Sequence, residues 1–168
     1  AIERMQFEKS LPLTTAKNLV VSHNRYFVRA FEGTQAQARD ALGLPRDEKI
    51  FLCIGFIQPH KGFDLAVRAF AGAQPAASAL YIVGSVRHDT PVNLAYRDAL
   101  VSDAQRVDDV HVLDRFVDDV AFDTWICAAD MVVLPYAEIW TSGVLARAML
   151  FNRPVAMRDH ATLREQVV

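Results

Sequence analysis

The strongest constraint on this chain is a repeated alternation. Short apolar runs are followed by longer segments whose apolar residues recur at helical spacing. KIFLCI, near residues 49 to 54, precedes FDLAVRAFAG at 63 to 72. ALYIV, 79 to 83, precedes PVNLAYRDALVSDAQR, 91 to 106. HVLD closes a run at 109 to 113 before a helix over Asp118 to Ala129. MVVLP leads to SGVLARAMLF, and PVAMR leads to ATLREQVV. Upstream, NLVVS at 18 to 22 reads as a first strand, and Thr34 as the cap of a helix over QAQARDALG, closed by Gly43 and Pro45. Runs of four to six residues alternating with helices of about ten argue for βα units and a parallel sheet. Continuous rather than alternating apolar strands mean that helices cover both faces. The fold class is therefore α/β, a Rossmann-like parallel sheet with helices on both faces.

Composition narrows the function classes. The 168 residues are enough for one domain with a full core, and 52% hydrophobic content is that of a globular chain. A net charge of −2 gives no electrostatic case for nucleic acid or an anionic membrane. No apolar run approaches the roughly 20 residues of a membrane span, and no leader segment is visible at AIERMQFEKS. Cys53 and Cys127 sit in apolar segments, FLCIG and WICAAD, as two buried thiols rather than a disulfide. The expected location is cytoplasmic, with the inner face of the membrane open to the longer protein. The first 17 residues are hard to place, and both ends look cut, so the chain is expected to be part of a longer protein.

In open parallel sheets, ligands bind beyond the carboxyl ends of the strands. Four loops fall on that rim: 55 to 62, 84 to 91, 115 to 118 and 135 to 143. In the last, Thr141 or Ser142 supplies an N-cap oxygen, and Gly143 lets another group approach the helix start. Free N–H groups there seat an anion such as a diphosphate. Glu138, just upstream, could accept from sugar hydroxyls. GFIQPHKG, 55 to 62, places Lys61 beside another helix start. It lacks the spacing of a Walker A loop or of GxGxxG. Alone, Lys61 fits a solvated lysine as readily as a phosphate contact, Glu138 an ordinary loop carboxylate, and Ser142 a plain cap. His23, His60, His88, His111 and His160 have no metal-like spacing, and no nucleophile motif appears.

Taken in order, GFIQPHKGFDLAVRAF, LYIVGS, VLDRFVDDVAFDTWICAADMVVLPY and TSGVLARAMLFNRPV resemble the C-terminal domain of family 4 glycosyltransferases, retaining enzymes of the GT-B fold. The resemblance spans about residues 45 to 168. It implies a donor-binding domain there, truncated at its C-terminus, with residues 1 to 44 leading in from a preceding domain and contributing a first strand and helix. It also implies that Lys61 meets the donor diphosphate and that Gly55 belongs to the loop ahead of it. Glu138 would hold the donor sugar. Ser142, Gly143 and Val144 would present backbone N–H groups to the phosphates. The main chain at Phe116 and Val117 would meet the base, and Gly84 would close the strand beside the site. Lys61 and Glu138 would be the groups closest to the chemistry.

Two positions depart from the family. An Arg usual before the KG pair is absent, and Phe56, Ile57 and Gln58 stand there. The Glu that binds ribose hydroxyls is replaced by Arg147, nine residues after Glu138 where eight is usual. Arg147 can donate to a phosphate but cannot accept from a diol.

The resemblance implies transfer of a sugar from a nucleotide-diphosphate donor to an acceptor hydroxyl, in glycan or polysaccharide assembly. No cofactor and no metal is expected, since no DxD motif appears. The acceptor, a glycan or lipid-linked sugar, would be held by the N-terminal domain, so the fragment alone would be inactive. A degenerate, non-catalytic module serving as a partner or regulatory domain is the alternative, motivated by Gln58 and Arg147. A nucleotide-sugar epimerase is a third, with no persuasive acid–base pair.

Overall fold

The computed structural model describes residues 28–139 and 141–166. The reading of a strand at 18 to 22, and of His23, lies outside the described residues. Helix α1 (Gln35–Leu42) starts in a reciprocal cap: Thr34 Oγ1 accepts from the Gln37 N–H, and Gln37 Oε1 accepts from the Thr34 N–H at 2.9 Å. Gly43 closes it, its N–H turned back on the last carbonyls. Then come β1 (Lys49–Ile54), a 3₁₀ turn at Pro59–Lys61, α2 (Phe63–Ala73), β2 (Ser78–Gly84), α3 (Pro91–Ala104), β3 (Val110–Asp114), α4 (Asp119–Ala128), β4 (Met131–Leu134), α5 (Gly143–Leu150), β5 (Val155–Met157) and α6 (Ala161–Gln166). Boundaries differ from the sequence reading by one or two residues at most helix ends. The larger difference is the ordered 3₁₀ turn inside what read as a plain loop.

The five strands form one parallel sheet in the order β3-β2-β1-β4-β5. Strand β1 is central and nearly dry, which is why KIFLCI carries no polar residue after Lys49. Its side chains still divide by pleat. Ile50, Leu52 and Ile54 pack with Ala38 of α1 and Trp125 and Ile126 of α4. Cys53 packs on the other face with Phe63 and Val67 of α2 and Leu100 of α3. Both cysteines are free and buried.

A polar staple ties α1 to the sheet's amino end. The buried Arg39 guanidinium donates to the carbonyls of Ala128, Arg46 and Glu48 and to Asp130 Oδ2 at 2.6 Å. Asp130 Oδ2 also accepts the Ile50 N–H, 2.7 Å away. One buried ion pair thereby satisfies the end of α4 and the start of β1 together, the condition under which a buried charge is tolerated.

After β1, β2 and β3 the chain crosses back and lays β4 on the free edge of β1. The order of strands reverses between β1 and β4, and the loops leaving their carboxyl ends splay apart there. That is where a crevice opens in a sheet of this kind.

Candidate functional site

A cavity of about 520 Å³ opens at that crevice. Its floor is two glycines, Gly55 after β1 and Gly84 at the end of β2. They are in close backbone contact: a Cβ placed on Gly84 would lie 1.8 Å from the Gly55 carbonyl oxygen. Both have positive φ, +124° and +154°. Any side chain at Gly84 would fill the space the two strand ends share.

Lys61 enters from the 3₁₀ turn. Pro59 sets the turn's first φ, and the Lys61 N–H donates to the Gln58 carbonyl at 2.9 Å. Gly62 follows at φ +64°, where a Cβ would come within 2.5 Å of the Pro135 carbonyl oxygen. The Ala137 N–H donates to the His60 carbonyl at 2.9 Å. These contacts bind the β1–α2 loop to the β4–α5 loop. They hold the Lys61 ammonium over the Tyr136 ring, 4.3 Å from its centroid. Among the described residues no carboxylate pairs with Lys61, and burial lowers its pKa from the ordinary lysine value. A partly dehydrated cation without a counter-ion, facing a cavity, is a seat for an anion.

The opposite supply of positive potential is the start of α5. Ser142 is its N-cap, and its Oγ accepts the Leu145 N–H at 3.1 Å. The Ala146 N–H makes the first intrahelical bond, to the Ser142 carbonyl. Gly143 and Val144 precede that bond and line the cavity. Their N–H groups are the orphan donors of a helix N-terminus, where partial positive charge gathers.

The rest of the wall is apolar. Phe116, largely exposed, and Val117 come from the β3–α4 loop, Phe122 from α4, and Phe56 from the loop after β1. The Arg87 guanidinium sits over Phe56, 5.4 Å from its centroid. Flat aromatic faces beside two anion-binding groups suit a ligand with a planar ring at one end and phosphates at the other.

The structure therefore brings Gly55, Lys61, Gly84, Phe116, Val117, Gly143, Val144 and Arg147 to one cavity. Three residues singled out in the sequence do not line it. Ser142 is buried behind the wall as the helix cap. Gln58 lends its carbonyl to the 3₁₀ turn. Glu138 stands on the loop beside His60, whose pKa is lowered by burial and by Lys61 and partly restored by the Glu138 charge.

Arg147 differs most from expectation. Its Nη1 donates to Asp123 Oδ1 at 2.7 Å and its Nη2 to Asp119 Oδ1 at 2.6 Å, with the guanidinium over Phe122. Its guanidinium, at the cavity wall, is held by two carboxylates of α4. Asp118, Asp119, Ser85 and Phe122 line the cavity without having been singled out, as does Phe56, noted in the sequence only as standing where an Arg is usual. Asp119 and Phe122 lie within the first turn after the rim loop 115 to 118, so helical spacing from that loop was the available signal.

A parallel sheet in this order, with its cavity at the strand reversal, is the Rossmann-like arrangement that nucleotide-binding domains use. Over residues 48–168 the chain matches the family described as Glycosyl transferases group 1. A D-inositol 3-phosphate glycosyltransferase from Thermobispora bispora is 31% identical over 139 residues, covering 79% of this chain and 32% of that protein. Among solved structures, Anabaena Alr3699/HepE in complex with UDP and glucose superposes with a TM-score of 0.68 at 22% identity, covering 80% of this chain and 35% of that one. The C-terminal domain of the group 1 glycosyltransferase LpcC from Francisella tularensis gives 0.64 at 18% identity, covering 77% and 67%. The chain belongs to the group 1 glycosyltransferases. It spans about a third of the length of the curated relative it matches.

Proposed function

We propose that this domain binds the nucleotide-diphosphate sugar donor of a glycosyltransferase that moves a sugar to an acceptor hydroxyl. The observation that carries the reading is the meeting of Lys61, without a carboxylate partner among the described residues, and the Gly143–Val144 helix start in one aromatic-walled cavity. In the transfer, the bond between the sugar's anomeric carbon and the diphosphate oxygen breaks, and negative charge grows on the leaving diphosphate. Lys61 and the two N–H groups meet that charge without having to reorganise. Glu138 holds the sugar hydroxyls, and Phe116 and Val117 carry the base. Transfer with retention of anomeric configuration follows from the family resemblance. The acceptor, a glycan or lipid-linked sugar, is held by a separate N-terminal domain, so this chain alone has no turnover.

The test is titration calorimetry with UDP, GDP and ADP on the wild-type chain and on Lys61→Ala. Saturable binding of one nucleotide, weakened about tenfold or more by the substitution, supports the reading. A second reading, a non-catalytic module, draws on one observation: Arg147 is fixed to two carboxylates where the resemblance places a ribose-binding Glu. Failure of all three nucleotides to bind would favour it.

A further inference from the structure

We propose that Asp119 recognises the ribose of the nucleotide, accepting hydrogen bonds from its 2′- and 3′-hydroxyls. The inference rests on the donor reading above. A cis diol presents two O–H donors and needs acceptors, and a guanidinium has none. The carboxylates lining the cavity are those of Asp118 and Asp119. Asp118 is committed to the helix, its Oδ1 accepting the Ala121 N–H at 2.8 Å as the cap of α4.

Asp119 is placed differently. Its side chain is 79% exposed, and its Oδ1 is fixed by Arg147 Nη2 at 2.6 Å. Among the described residues its Oδ2 has no partner. Arg147 is itself anchored, 15% exposed, on Asp123, whose side chain is buried and whose Oδ2 accepts the Ala30 N–H at 2.7 Å. The row Asp123, Arg147, Asp119 thus runs from the interior to the cavity and ends in a carboxylate with a free oxygen. Its net formal charge is that of one carboxylate, the charge of the single glutamate that the resemblance places at Arg147. Charge and acceptor capacity at the ribose end are both restored, with the acceptor moved from α5 to α4. An Arg meant for phosphate would keep its fork open, whereas here both Nη atoms are spent on carboxylates.

The experiment is calorimetry of the 168-residue chain with UDP, GDP and ADP, and with the 2′-deoxy form of whichever binds. Wild type is expected to prefer the ribonucleotide by about tenfold, the value of one charge-assisted hydrogen bond. Asp119→Ala brings that ratio to about one, weakening the ribonucleotide more than the 2′-deoxy form, which loses only its 3′-hydroxyl bond. Asp119→Asn, which keeps the shape and a neutral acceptor, gives an intermediate ratio and guards against misfolding of the alanine variant. Lys61→Ala weakens both ligands alike and keeps the ratio. A wild-type ratio of one, or a ratio that survives Asp119→Ala, overturns this inference and leaves the donor site standing. Absence of binding by all three ribonucleotides overturns the donor reading and this inference with it.

Discussion

Gly84 and Gly55, at the ends of neighbouring strands and 29 positions apart, share a space that admits no Cβ on Gly84: one there would sit 1.8 Å from the Gly55 carbonyl oxygen. The contact is made where both strands end and the cavity begins. Gly84→Ala must therefore displace backbone, at a φ of +154° that already disfavours a side chain. The expected cost is about 2–4 kcal/mol. Urea unfolding measures it. A loss under half a kcal/mol would mean that the two strand ends part easily.

Lys61 sets a pH dependence. Burial depresses its pKa in the folded chain below that of an unfolded lysine. Between those two values the unfolded state binds more protons, so stability rises with pH across that window. Lys61→Ala flattens this alkaline rise. Nucleotide affinity moves the other way, because the ammonium is lost as pH passes the depressed pKa. Binding should weaken at a lower pH than an ordinary lysine predicts, with proton uptake in the same window. Calorimetry in buffers of different ionisation enthalpy reports that uptake, and no buffer dependence there would exclude Lys61 as the phosphate contact.

Arg147 neutralises Asp123, a carboxylate with no exposed surface. Arg147→Ala leaves that charge with one backbone donor, at an expected cost of about 3–5 kcal/mol. Restoring the family residue by Arg147→Glu costs more, since it sets a third carboxylate against Asp119 and Asp123. Thermal melts of the two variants order them. A Glu variant as stable as wild type would show that the pair with α4 carries no weight.

Arg39 donates to four backbone carbonyls, those of Ala128, Pro45, Arg46 and Glu48, as well as to Asp130. Lysine cannot reproduce that planar fork. Arg39→Lys is expected to destabilise by about 2–4 kcal/mol, most of it from carbonyls and a carboxylate left without a partner. Chemical denaturation tests this, with Arg46→Lys, an exposed pair on Asp40, as the small-effect control.

The secondary structure from Thr34 onward was legible because each element announces itself within its own residues. Thr34 and Gln37 form a cap three positions apart, Pro91 opens α3, and the dry strands read as unbroken apolar runs. The rim loops followed from the direction of a parallel sheet. What could not be read was pairing between elements. The Arg147–Asp119 contact joins residues 28 apart on two helices, and nothing in either local pattern signals it. In the sequence Arg147 reads as a lost ribose acceptor that could reach a phosphate; with α4 beside it, it pairs with Asp119 and Asp123. The place of Glu138 on an exposed loop outside the cavity lining and the service of Gln58 to a 3₁₀ turn are likewise set by how the loops lean on each other.

The strand order has a consequence for how the molecule comes into being. On a ribosome, the segment from Lys49 to Asp114 can pair β1, β2 and β3 while the remainder is still being made. In that interval the Phe51–Leu52 stretch of β1 is an open edge, apolar and without a pairing partner, until Met131 and Val132 arrive to cover it. The same docking step brings the Pro135 loop against Gly62 and completes the ligand cavity. Nascent chains are thus most exposed to sticking to one another just before the site exists, and a bound nucleotide can protect only those that have passed that point.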